Sequence, residues 1–232
     1  EKVLDPLHPN LAATYNNIGS VYSDLEEHVK SLEYYQKALS IYEKFFGIEH
    51  PKVALSYNNI GGVYSDLGEH SKSLEYYQKA LNIREKFFGI EHPDVALSYN
   101  EIGCSYSYLG EYSKALEYLQ KALRIYEKVS RLEHINVANS YNNIGCVYSK
   151  LGEHTNALEY YQKALKIEEK IFGLEHPSVA TRYGNIGSVY SYLGYYTKSI
   201  EYYLKSLSIR ENIFGIGHPD VVILYYCIGI LY

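Results

Sequence analysis

The sequence has no methionine and no tryptophan, and only three cysteines in 232 residues. Cys104, Cys146 and Cys227 cannot all pair with one another, and none stands in a C-x-x-C or other ligand spacing. A disulfide framework and a cysteine-based metal centre are therefore not expected. No block of like charge occurs and the formal net charge is -5, so neither nucleic acid nor an anionic membrane surface is an expected partner. The longest apolar run, Val221 to Tyr232, is too short to span a bilayer and reads as a buried helix. There is no basic leader with an apolar core and no Asn-x-Ser/Thr acceptor, which leaves a reduced, cytoplasmic setting as the expectation. With no Met even at position 1, the chain reads as a piece of a longer one.

Against these absences stand 29 tyrosines and a strict repeat. The pair His-Pro falls at 8/9, 50/51, 92/93, 176/177 and 218/219, and His134 with Ile135 fills the remaining place. The period is 42 without insertion, and Gly19, Gly61, Gly103, Gly145, Gly187 and Gly229 keep it too. We expect one array over residues 1–232, with first helices starting near Pro9, Pro51, Pro93, Ile135, Pro177 and Pro219. Five helical hairpins would be followed by an unpaired helix that exposes Leu224 and Ile228.

Each unit reads as two helices. Proline after histidine is preorganised for a first helical turn, where its missing N–H costs nothing. Helix A of the second unit is then predicted to run to about Leu67, where Gly68 can take the left-handed conformation that closes a helix. Helix B is predicted from about Ser71 to Phe88, with Gly89 ending it in the same manner. Glu26 stands where the interhelix glycine is expected and Arg131 where the terminal one is, so both junctions should be strained. On a helical wheel Leu11, Tyr15, Ile18, Gly19, Val21, Tyr22 and Leu25 share one side, and small polar residues such as Asn16, Asn17 and Ser20 share the other. Helix B carries a wider apolar stripe, as stacking on two neighbours requires. The fold class is all-α, a right-handed superhelical solenoid of helix-turn-helix repeats.

Tyr57, Ile60, Gly61, Tyr64, Ser73, Tyr77 and Ala80 stand at the offsets of the tetratricopeptide pattern, and the other full units follow closely. The unit length, together with A-L-x-I-x-E-K-x-F-G-x-E-H-P-x-V-A followed by N-N-I-G, resembles the repeats of kinesin light chains. The closing Pro of the usual repeat is replaced by Glu43, Glu85, Glu127, Glu169 and Glu211. The resemblance implies a concave surface lined by the first helices, with Asn16, Asn58, Asn100 and Asn142 facing a bound segment. Gly184 breaks that series. Ser20, Gly62, Cys104, Cys146 and Ser188 stand where a chaperone-tail clamp would need Lys or Arg, so a carboxylate clamp is not expected.

The Asn and Ser face is nearly free of charge away from the helix ends, which carry Asp24, Asp66 and Lys150, whereas helix B alternates Glu and Lys as solvated helices do. A carboxamide offers both donor and acceptor to an extended backbone. The expected peptide-binding residues are therefore Asn16, Ser20, Asp24, Asn58, Asp66, Asn100, Cys104, Asn142, Cys146, Lys150 and Ser188. Tyr108 and Tyr192, in the register of Asp24 and Asp66, are expected to anchor a ligand from the groove. The other tyrosines read as packing residues, and the nine histidines as turn and cap residues a whole repeat apart. Any catalytic residue would occur five times over, so no enzyme, metal or cofactor is expected. The expected function is a protein-interaction scaffold for an extended peptide or partner helix. Alternatives are self-assembly through the uncapped ends, including 221–232, or a sensor portion of a larger signalling enzyme.

Overall fold

The computed structural model describes residues 8–129 and 134–231, and Arg131 lies outside them. Among the described residues there are eleven helices and no strand. In chain order they are α1 (Pro9–Asp24), α2 (His28–Phe46), α3 (Pro51–Asp66), α4 (His70–Phe88), α5 (Pro93–Tyr108) and α6 (Tyr112–Val129). There follow α7 (Ile135–Lys150), α8 (His154–Phe172), α9 (Pro177–Tyr192), α10 (Tyr196–Phe214) and α11 (Pro219–Gly229). The helices form two compact units, Glu1–Ile125 and Tyr126–Tyr232, the division falling within α6. In each unit an odd-numbered helix packs on the even-numbered helix that follows it, and that helix packs on the start of the next hairpin. The fold is an all-α repeat solenoid.

The first helices begin where they do because histidine caps them. His50 accepts a hydrogen bond at Nδ1 from the backbone N–H of Lys52 at 3.1 Å, and its ring stacks on Phe46 at 4.1 Å. His8, His92, His134, His176 and His218 make the same cap. This repeated ring satisfies an otherwise orphaned helix donor. Gly68 is left-handed at φ +74, and Glu26 adopts φ +58 in its place, a conformation costing a residue with Cβ about 1 kcal/mol. The second helices end differently from expectation. Gly47, Gly89, Gly173 and Gly215 pair positive φ with ψ between 160 and 173, an extended mirror region that only glycine enters easily rather than the left-handed helical one.

Interior first helices bury two faces, not one. Ile60 packs with Val63, Tyr35 and Leu32, while Val53 and Ala54 meet Ala38, Ile41 and Tyr42 of the preceding hairpin. Val63 is 1 % exposed, but its counterpart Val21 is 57 % exposed because no described helix precedes α1, whereas Leu25 and its counterparts Leu67, Leu109 and Leu151 are all exposed at the helix ends. The wheel that placed Val21 and Leu25 inside therefore fails for α1, where Asn16 is buried instead. In α11, Leu224 and Ile228 are buried against Tyr203 and Leu207, so the outward apolar residues are Val222, Ile223 and Tyr226.

The tyrosines form a repeated three-ring stack. Tyr76 lies 6.0 Å from Tyr57 and 5.5 Å from Tyr64, with the Lys79 ammonium 4.8 Å above it. Cation–π attraction thus gives the lysines of the second helices a structural role. The Tyr57 hydroxyl donates to Glu43 Oε1 at 3.0 Å, and burial, with that carboxylate, pushes the phenol up to about 12. Tyr99 with Glu85, Tyr141 with Glu127, Tyr183 with Glu169 and Tyr225 with Glu211 repeat the bond across fourteen residues. The glutamate that replaces the usual closing proline is therefore a brace between hairpins. Tyr57→Phe should lower stability by about 1 kcal/mol in a urea titration, with no added loss when Glu43→Gln is combined with it.

Candidate functional site

In the first unit the faces of α1 and α3 enclose a cleft of about 290 Å³. Asn16, Asn17 and Ser20 line one side, Lys52, Leu55 and Asn59 the other, and Tyr35 and Tyr42 form the floor. Asn16 is 9 % exposed, its Oδ1 lacks a hydrogen-bond partner, and its amide also meets the Tyr42 hydroxyl. Asn17 is exposed and Asn59 half-buried. These two lie one residue beyond the asparagines expected to face a ligand.

Asn58 and Asn142 are committed to neighbouring side chains. Asn58 Oδ1 accepts from Arg84 Nη1 at 3.0 Å, and Arg84 also donates to Ser98 Oγ at 2.7 Å. Asn142 Oδ1 accepts from Arg182 Nη1, and from Asn185 Nδ2 at 3.4 Å. Arg182 in turn pairs through Nε with Glu168 at 2.9 Å, the two side chains being 9 % and 1 % exposed. Burial pushes the Glu168 carboxyl up, and the Arg182 charge opposes that shift. Asn100 is half-buried.

The remaining expected residues fall into separate settings. Ser20 lies in the cleft, and Asp24 and Asp66 are exposed at the last positions of their helices. Cys104 and Ser188 are half-buried, Cys146 Sγ lies 3.3 Å from the Tyr161 hydroxyl, and Lys150 is exposed at the end of α7. Tyr108 stacks on His70 at 4.5 Å and Tyr192 on His154 at 4.8 Å. Each of these two rings places one face on the hairpin before it and stays more than half exposed, Tyr108 at 61 % and Tyr192 at 68 %.

Sequence reasoning overlooked the charges inside the first helices. Glu101 stands in register with Asn17, Asn59, Asn143 and Asn185, and Arg182 with Ser56, Ser98 and Ser140. The detectable signal was the break in a 42-residue register. Burial raises the Glu101 pKa, the Tyr77 hydroxyl and Arg84 pull it back, and Asp66 adds to the rise. Its partner Tyr77 is likewise raised, burial being the largest cause.

A second surface consists of exposed apolar side chains around the interhelix loops. In the first unit Phe45, Ile48, Phe87 and Ile90 are each more than half exposed, and a cleft of about 470 Å³ lies between Ile48 and Phe87. Among the described residues no three His, Cys, Asp or Glu converge as metal ligands would, and no helix is long and apolar enough to cross a membrane.

The tetratricopeptide repeat family model matches residues 1–44, 10–86, 53–128 and 136–212, well over half of the sequence. The chain belongs to the tetratricopeptide repeat family. Similar solved structures include a Podosopora anserina protein described as a kinesin light chain with nearly identical TPR-like repeats. It is 22 % identical at a TM-score of 0.73, covering 89 % of this chain and 98 % of that one. BtubC (BKLC) from P. vanneervenii is 22 % identical at a TM-score of 0.78, covering 91 % and 84 %. A Rap protein complexed with competence and sporulation factor is 19 % identical at a TM-score of 0.71, covering 94 % and 63 %. No curated protein matches the sequence. At these identities the likeness is one of fold, and the tetratricopeptide array is an architecture used for protein interaction.

Proposed function

We propose that this tetratricopeptide repeat chain is a binding scaffold that holds an extended peptide against its first helices. The supporting observation is the amide-lined cleft between α1 and α3, in which Asn17 and Asn59 flank a tyrosine floor. Amides on opposite walls can donate to and accept from a peptide backbone without demanding a particular side chain. The repeat supports binding over chemistry, because its polar residues recur one repeat apart and no three metal-ligating side chains converge among the described residues.

Peptides selected from a random display library on the full chain provide the test. Replacing both Asn17 and Asn59 with Ala should weaken a selected peptide by about tenfold or more, as expected for losing two backbone hydrogen bonds, and leave the melting temperature in place. Asn58 and Asn142 are unsuitable probes, since their loss would strip acceptors from buried Arg84 and Arg182. Undiminished binding by the double variant, with loss on Phe45→Ser instead, would move the site to the apolar loop surface.

A further inference from the structure

The hairpin of α9 and α10 departs from the repeat along one stripe of its second helix. Leu204, Ser208 and Asn212 recur at every fourth residue and share a face of α10. The same register carries Gln162, Lys166 and Lys170 in α8, and Gln120, Arg124 and Lys128 in α6. A row of long polar side chains is thus replaced by one apolar and two short ones. Beside this stripe lies a cavity of about 540 Å³, walled by Leu174, Tyr183, Leu204, Ser208 and Ile209. Leu174 is 59 % exposed and Leu204 48 %, so two aliphatic side chains of the lining face water.

The charges around this cavity do not balance. Glu201 pairs with Lys205 at 3.1 Å, and the Lys205 ammonium also sits 4.9 Å above the Tyr202 ring. Tyr183 donates its hydroxyl to Glu169. Glu175 also lines the cavity, and among the described residues it makes no hydrogen bond or ion pair. Its register counterpart Glu49 pairs with Lys86 at 2.6 Å, and Asn212 holds the position of Lys86 in α10. A lysine therefore satisfies this carboxylate in the first unit, and α10 supplies none. What the other hairpins carry on this face is a set of protein side chains, which points to a protein segment rather than a small molecule. The unpaired carboxylate requires that segment to bring a cation, and the aliphatic walls require it to bring an apolar group.

We infer that this cavity is a second binding site, for a protein segment carrying a bulky apolar side chain close to a lysine or arginine. The apolar group packs against Leu174 and Leu204, and the cation takes the place of the absent lysine on Glu175. The site goes beyond the peptide-binding reading above and uses none of the residues of the α1 and α3 cleft. Replacing Leu204→Gln, Ser208→Lys and Asn212→Lys together restores the stripe of α8. Random dodecapeptides displayed on phage would be selected on the full chain and then depleted on this triple variant, which keeps the first cleft intact. Leu204→Gln alone, which copies the exposed Gln162, serves for depletion if the triple variant does not fold. The peptides that survive should combine an apolar residue with a nearby Lys or Arg. A synthetic survivor should bind Leu204→Gln about tenfold more weakly, and Glu175→Gln about two- to fivefold more weakly at low salt, the second difference closing as salt rises. Both replaced side chains are exposed, so the single variants should melt with the parent. The absence of survivors, survivors without a basic residue, or a survivor indifferent to Glu175→Gln would overturn the inference. Each of these outcomes leaves the reading of Asn17 and Asn59 untouched, since binders of that cleft are removed by the depletion.

Discussion

Arg182→Ala is expected to destabilise the protein by about 3–5 kcal/mol, read as a shift of the urea-unfolding midpoint. The magnitude follows from what remains behind. Glu168 is 1 % exposed and would stay in the core without its partner, while Asn142 would lose the donor that Arg182 supplies. The internal repeat provides the control. Tyr42 with Ser56, and Tyr126 with Ser140, occupy the same two register positions, and all four are buried. The double variant Glu168→Tyr with Arg182→Ser should therefore recover most of the loss, as replacing a buried ion pair by packed neutral residues commonly does. If the double variant were as unstable as the single one, the register equivalence of these positions would be wrong.

Gly61→Leu should cost about 1–3 kcal/mol, and the adjacent Gly62→Ala should have the opposite sign. A Cβ on Gly61 would lie 2.9 Å from Cδ1 and Cε1 of Tyr77, inside any tolerable contact, whereas one on Gly62 would meet only the Tyr77 hydroxyl at 3.8 Å. Tyr77 is 4 % exposed and cannot swing out of the way. At Gly62 the added methyl improves helix propensity by up to about 1 kcal/mol against nothing lost. Thermal unfolding of the two variants separates a packing requirement from a general intolerance of side chains on α3. Equal melting temperatures would refute the close helix approach.

The periodic features of this protein were legible because each is local and repeated. Histidine before proline announced a cap that depends only on residues two apart, and the glycines after the first helices announced positive φ. The small residue at Gly61 correctly pointed to helix contact. What could not be read is set by partners far along the chain. Glu43 looked like a lost proline until its tyrosine, fourteen residues on, was placed beside it. Asn58 looked like a free amide, but Arg84 lies 26 residues away in sequence and 3.0 Å away in space. Nothing within one repeat shows that Tyr108 stacks on His70 of the preceding hairpin. In a repeat array, neighbouring hairpins supply such partners, so the residues that break the period are the ones whose roles a single repeat cannot reveal.

Asn17 and Asn59 are central to the account, and their side-chain amides can be followed directly. In a protein labelled with ¹⁵N at asparagine and at the backbone, titration with a display-selected peptide should shift the side-chain signals of Asn16, Asn17 and Asn59 first and most. Shifts confined to the backbone around Phe45, Ile48, Phe87 and Ile90, with the asparagine amides unmoved, would contradict it.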